Sequence, residues 1–156
     1  MRGLCLLFAV VLPAAMTGCR GLGARDESAQ ELERDFRDSE RQIKETRTLS
    51  NLAKIEASIA DYIKYEKRIP EKIDQLIPKY LAMIPTVEIE VSKHHESAAV
   101  KYYYSETLRD GQIDGTRLKD TGKWGYVHNE RQVVVFVDCT HPSGRGKSWY
   151  QERGAQ

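Results

Sequence analysis

No apolar run in this sequence is long enough to cross a bilayer: the longest, Leu4 to Met16, holds 13 residues, against the roughly 20 that a spanning helix needs. Charge of one sign is also lacking. The 24 Lys and Arg stand against 23 Asp and Glu, and with Arg2 the only charged residue among the first 18, residues 19–156 carry 23 of each sign. No global field therefore favours nucleic acid or anionic lipid as a partner. Cysteine is scarce, with Cys5, Cys19 and Cys139 alone in 156 residues. Internal repeats and low-complexity tracts are absent, which leaves one ordinary domain rather than an array.

What is present begins with MRGLCLLFAVVLPAAMTGC. A basic Arg2, the apolar run and small residues leading to a cysteine have the layout of a secretory signal. The ending Met16-Thr17-Gly18-Cys19 resembles a bacterial lipobox, which implies that residues 1–18 are a signal peptide and that Cys19 becomes the diacylated first residue of an exported chain. Arg20 is not the aspartate associated with inner-membrane retention in enteric bacteria, so the resemblance implies an outer-membrane location. Cys5 leaves with the signal and Cys19 is consumed by lipid, so Cys139 stands alone without a disulfide partner. A lone cysteine in an oxidising compartment behaves as a small buried hydrophobe.

Residues 19–48 read as lipidated cysteine, tether and charged helical stalk, and residues 49–156 as the folded domain. Arg20 to Arg25 is a short glycine-containing tether, and Asp26 to Arg47 is rich in charge and helix formers. Glu33 and Arg37 fall at helical neighbour spacing. Leu32, Phe36 and Ile43 keep a four-plus-seven spacing, but Ser39, Thr46 and Ser50 occupy the positions that would complete a coiled-coil stripe. From Leu49 the pattern strengthens: Leu52, Ile55, Ile59, Tyr62 and Ile63 recur at three- and four-residue steps, as a helix packed on a core requires. Pro70 ends it. A helix from Asp26 to Lys67 would be roughly 60 Å long, its first half a solvated stalk.

Pro70, Pro78 and Pro85 keep the next stretch irregular, with one helical turn at Ile73, Leu76 and Ile77. Val87 to Val91 alternates and predicts a half-buried strand, as does Ala98 to Tyr104; the two are expected to pair antiparallel through a turn at Lys93 to Glu96. In the second strand alternation buries Tyr102 and Tyr104 and exposes Tyr103, which favours sheet packing over a stacking platform for glycan or nucleic acid. Glu106 to Gly122 reads as a long surface loop. Lys123 to Val127, a turn at His128 to Arg131, and Gln132 to Cys139 give a hairpin, and the unbroken run Val133 to Val137 suits a strand covered on both faces. Trp149 is expected to tack the tail onto the domain. The expected fold is α+β, a long N-terminal helix packed against a small antiparallel sheet of three to four strands.

The stretch IEASIADYIKYEKRIPEKIDQLIPKYLAMIP resembles type IV pilins and the major pseudopilins of type II secretion, through Tyr62, Pro70, Leu76, Pro78, Tyr80, Leu81, Ile84 and Pro85. The hairpin GKWGYVHNERQVVVFVDCTH is similar to the closing hairpin of that family. The chain departs from it at the N-terminus, where the lipobox-like cysteine and a charged helix stand in place of the pilin leader and its apolar shaft helix. Burying that charged helix in a filament core would strand many charges at several kcal/mol each. The resemblance implies a pseudopilin-like head on a lipid-tethered stalk that does not polymerise as a pilin.

Among candidate chemical groups, Asp138, Cys139 and His141 form one cluster. Residues two apart on a strand share a face, so Cys139 and His141 can meet, and a nucleophilic thiol needs such a base. No orienting Asn or Asp at a recognisable position and no glycine-flanked nucleophile turn accompany them, so a buried cysteine beside a surface histidine is the favoured reading and no catalytic residue is assigned. Cys139, His141, His94 and His95 lack the paired close spacings of zinc sites. Asp110, Asp114 and Asp120 lie in the glycine-rich loop, and the pseudopilin resemblance implies calcium there; the spacing is not that of an EF-hand, and a solvated loop is preferred. No other cofactor is expected. The expected function is that of a non-enzymatic, lipid-anchored envelope protein. Its partners are the membrane, through Cys19, and the proteins of a secretion or pilus-like machine. A stand-alone module using Glu106 to Lys119 to bind a glycan or protein is the alternative.

Overall fold

The computed structural model describes residues 23–154; the signal-like segment and Cys19 lie outside them. The described residues divide into two units, one ending at Asp35 and one beginning at Phe36. In the first, the described residues belong to helix α1 (Gly23–Glu66), and residues 27–35 are exposed throughout. This is what a charged run with one apolar residue per turn or fewer dictates, because it has no stripe to bury.

The second unit is α+β and carries the core. Leu49, Leu52, Ile55, Ile59 and Tyr62 of α1 are buried, as the three- and four-residue steps require. The helix stops before its proline: Lys67 turns left-handed (φ 56°) while its N–H donates to the Ile63 carbonyl at 3.0 Å, a C-terminal cap of the αL kind. A 3₁₀ turn follows at Ile73–Leu76, with both end residues buried, and the Ile77–Pro78 peptide is cis.

Five strands follow: β1 (Val100–Tyr103), β2 (Leu108–Arg109), β3 (Gln112–Ile113), β4 (Trp124–His128) and β5 (Val133–Val137). The hairpin β4–β5 pairs antiparallel from Trp124 opposite Val137 to His128 opposite Val133. The main sheet has the order β1-β4-β5 and is mixed, not antiparallel as expected. β1 lies parallel to β4, with Val100 opposite Trp124 and Tyr103 opposite Val127. The twenty residues 104–123 between them supply the long connection that parallel pairing needs.

Val87 to Val91 is not a strand of that sheet. It makes one antiparallel bridge, Val87 with Ser97, and then its backbone is taken by the helix. The Thr48 hydroxyl donates to the Glu88 carbonyl and accepts from the Glu88 N–H, both at 2.8 Å, and Asn51 Nδ2 donates to the Thr86 carbonyl at 3.0 Å. Side-chain groups thus satisfy the donors and acceptors a neighbouring strand would have used. Glu88, on the face that alternation assigns to solvent, is buried and paired to Arg47 at 2.7 Å.

The tyrosine run is also inverted relative to expectation. Tyr104 is 87% exposed and Tyr102 is exposed at the edge, whereas Tyr103 packs near Phe136, ring centroids 5.7 Å apart, with its hydroxyl accepting the Lys119 N–H at 2.9 Å. The strand ends at Tyr103, so Tyr104 leaves the sheet instead of continuing its alternation.

The sheet is covered on both faces, as the run Val133 to Val137 requires. Trp124, Tyr126, Val135 and Val137 face the helix and the proline-rich stretch in the main cluster. Val127 and Phe136 face the other way, against Ile113, Leu108, Leu118 and Tyr150. The segment from Glu106 is therefore a cover with its own hairpin, β2–β3, and 3₁₀ turn, Gly115–Arg117, not a free surface loop. Gly125 makes room for this layer: a Cβ there would sit 2.3 Å from the Phe136 ring.

Candidate functional site

Four side chains of types able to ligate a metal meet where three connections converge beside the exit of β5. His94 comes from the turn after Val91, whose carbonyl accepts the His94 N–H at 2.8 Å. Asp120 comes from the crossover that enters β4. Cys139 and His141 follow β5. Their ligand atoms all lie within 4.8 Å of one another. Cys139 Sγ is 3.4 Å from His141 Nδ1, and Asp120 Oδ1 is 3.5 Å from both His141 Nδ1 and His94 Nε2. The two imidazoles stand edge to face with centroids 5.5 Å apart.

Backbone geometry builds this meeting. Asp120 and Gly122 both take positive φ, 53° and 70°, a conformation tolerated by aspartate and natural to glycine. At Gly122 it also clears space, since a Cβ would fall 2.5 Å from His94 Cγ. The Gly122 N–H donates to the Asp138 carbonyl at 2.8 Å. The buried Asp138 carboxylate accepts from the Thr121 N–H at 3.2 Å and from its hydroxyl at 2.5 Å. The Thr140 N–H donates to Asp120 Oδ1 at 2.8 Å, which fixes that carboxylate. The tail closes the far side: Trp149 and Tyr150 donate their N–H groups to the His141 and Cys139 carbonyls at 3.0 and 3.1 Å.

Burial is uneven. Cys139 is fully buried and the His94 side chain is 3% exposed, while Asp120 and His141 each keep about a third of their surface, 31% and 35%. Burial pushes the Cys139 thiol up to about 12, with the Asp120 and Asp138 charges adding to it and the His141 backbone N–H opposing it. Burial acts to raise Asp120 as well. The Thr140 N–H and the neighbouring His141 and His94 outweigh it and hold the carboxyl below its usual value. His94 Nε2 is buried with no hydrogen-bond partner; its 3.5 Å approach to Asp120 falls short of one.

The sequence pairs Cys139 with His141 through their two-residue step, and the structure places them in contact. As an unassisted nucleophile the pair is poorly tuned, because a reactive cysteine is exposed and depressed in pKa. Asp120, grouped by sequence with Asp110 and Asp114, joins the histidines instead. Asp110 sits in the β2–β3 turn with φ 52°. Asp114 accepts from the Thr116 N–H at 3.0 Å and its hydroxyl at 2.6 Å, capping the next 3₁₀ turn. Among the described residues the metal-capable cluster includes neither Asp110 nor Asp114. Sequence spacing sets His94 aside together with Cys139 and His141, since it lies 45 residues before Cys139 with no close-spaced partner to mark it, and Asp120 is the member that it never joins to them. Comparison with known proteins gives no family model, no curated protein and no solved structure that matches this chain.

Proposed function

We propose that this chain is a non-enzymatic, lipid-anchored envelope protein with a pseudopilin-like α+β head, acting by protein contact as an accessory or scaffold of a type II secretion or type IV pilus-like machine. The observation that carries the reading is the ending Met16-Thr17-Gly18-Cys19 after a 13-residue apolar run. A diacylated Cys19 would hold the chain at the membrane through its acyl methylenes, each contributing about 0.8 kcal/mol when buried. A protein that works by contact needs exposed apolar side chains. Phe36 and Ile43 of α1, seven residues apart, are 63% and 56% exposed. Ile43 lies in a shallow groove with Gln42, Thr46 and Arg47. The full burial of Cys139 also favours a contact role over nucleophilic catalysis, since a reactive thiol must be reached by its substrate.

The alternative, a stand-alone module for a glycan or protein, draws support from an open cleft lined by Arg109, Asp110, Gln112, Asp114, Thr116 and Tyr150. Crosslinking of the native membrane-attached protein, followed by affinity purification and mass spectrometry, separates the two. Secretion or pilus components recovered with the native chain and lost with Cys19→Ala are the expected result. Recovery of no such component, with a glycan or other ligand bound by the cleft and lost on deletion of residues 106–119, would replace the scaffold by the module.

A further inference from the structure

We propose that His94, Asp120, Cys139 and His141 bind one divalent cation of the zinc class, in a closed site that ties three connections of the head together. The spacing of the ligand atoms fits such a cation. In a tetrahedral zinc site with Zn–N near 2.0–2.1 Å and Zn–S near 2.3 Å, neighbouring ligand atoms stand about 3.3–3.6 Å apart. The separations here are 3.4 Å between Cys139 Sγ and His141 Nδ1 and 3.5 Å from Asp120 Oδ1 to each histidine. Three edges of a tetrahedron thus already have the required length.

One ring nitrogen is also stranded. The His94 side chain is 3% exposed, and its Nε2, turned toward Asp120, has no hydrogen-bond partner. A buried polar atom left unsatisfied is costly and rare in folded proteins. A cation between the four side chains would take its lone pair.

Charge matches as well. Two neutral imidazoles, one carboxylate and one thiolate carry two negative charges, which a divalent cation balances. The metal itself would deprotonate the thiol it binds. The thiolate and imidazoles favour zinc over calcium or magnesium, which take oxygen ligands. The outer contacts suit such a centre too: the Thr140 N–H orients the Asp120 carboxylate. With Cys139 fully buried and four protein ligands, the site has the character of a structural rather than a hydrolytic centre. It would also keep the one thiol among the described residues from oxidation.

The test is cobalt(II) titration of the full-length protein, purified in detergent and stripped with chelator, with the optical spectrum as readout. One equivalent is expected to bind, giving intense tetrahedral d–d bands and a thiolate-to-cobalt charge-transfer band, both abolished by one equivalent of zinc(II). Cys139→Ser should remove the charge-transfer band. Loss of an outer supporting partner costs about 10–100-fold in affinity, so Asp120→Asn and His94→Ala should each weaken binding at least about 100-fold. Asp120→Asn alters a partly exposed residue, and its circular dichroism and tryptophan emission should match the parent, which separates lost binding from lost folding. Absence of saturable uptake by the folded parent protein, or a cobalt spectrum unchanged by Cys139→Ser, would overturn the assignment.

Discussion

Replacing Thr48 by Val removes one hydroxyl from a fully buried side chain and keeps its shape. The hydroxyl makes two hydrogen bonds of 2.8 Å, one to each backbone group of Glu88. A buried hydrogen bond contributes about 1 kcal/mol net, and a group left unsatisfied costs about 1–3 kcal/mol. Glu88 is itself buried, so both of its backbone groups lose a partner that water replaces poorly. The expected loss is about 2–4 kcal/mol, corresponding to a fall of roughly 10 °C in Tm for a domain of this size. Urea unfolding followed by tryptophan emission measures it, because Trp124 and Trp149 are both buried and report on the core. Thr46→Val is the control: it makes the same chemical change on the same helix at an exposed position, and surface changes of that kind stay within about 0.5 kcal/mol. Equal stability of the two variants would refute the claim that α1 captures the segment after Thr86 through its backbone. Unchanged hydrogen-exchange protection of the Glu88 amide in Thr48→Val would refute it locally.

Three further outcomes follow from the packing. Gly125→Ala drives a methyl to 2.3 Å from the Phe136 ring; such overpacking should cost about 1–3 kcal/mol or more in urea unfolding, with partial recovery in Gly125→Ala combined with Phe136→Leu, a coupling seen in a double-mutant cycle. Tyr126 is raised in pKa, by burial first and then by Tyr102 and Tyr62, so the folded state keeps its proton while an unfolded tyrosine ionises near pH 10. Its contribution is complete below that pH and is lost as pH rises toward the folded value. Tyr126→Phe should therefore flatten the alkaline decline in stability, while losing at all pH values the 2.7 Å bond to the Pro70 carbonyl. Cys139, fully buried, should resist iodoacetamide in the folded, metal-stripped protein and react at the rate of an ordinary thiol in urea; rapid alkylation of the folded form would reopen the thiol chemistry set aside above.

Local signals account for the parts of the fold that were legible in the sequence. The stripe Leu49 to Tyr62, the turn at Ile73 to Leu76 and the hairpin around Asn129 each write their pattern within a few residues, and each is present. Alternation at Val87 to Val91 is just as local, yet it describes the side chains and not the partner of the backbone. There Thr48 and Asn51 competed with a strand and won. The parallel pairing of β1 with β4 joins segments twenty residues apart, with nothing in either to announce it. The same limit explains the site. The two-residue step from Cys139 to His141 is readable, whereas His94 arrives through a turn closed by its N–H on the Val91 carbonyl and Asp120 through one of positive φ, and neither has a sequence period.

The position of β4 between a strand that precedes it and one that follows it has a consequence for how the chain is made. A polypeptide delivered N-terminus first, from a ribosome or a translocation pore, presents the apolar stripe of α1 long before the sheet that covers it exists. β1 alone has no neighbour to pair with, and the central strand is not secured on both sides until residue 137 has emerged. A nascent chain arrested before Trp124 would hold Leu52 and Ile55 bare to proteases, and one released after Val137 would not.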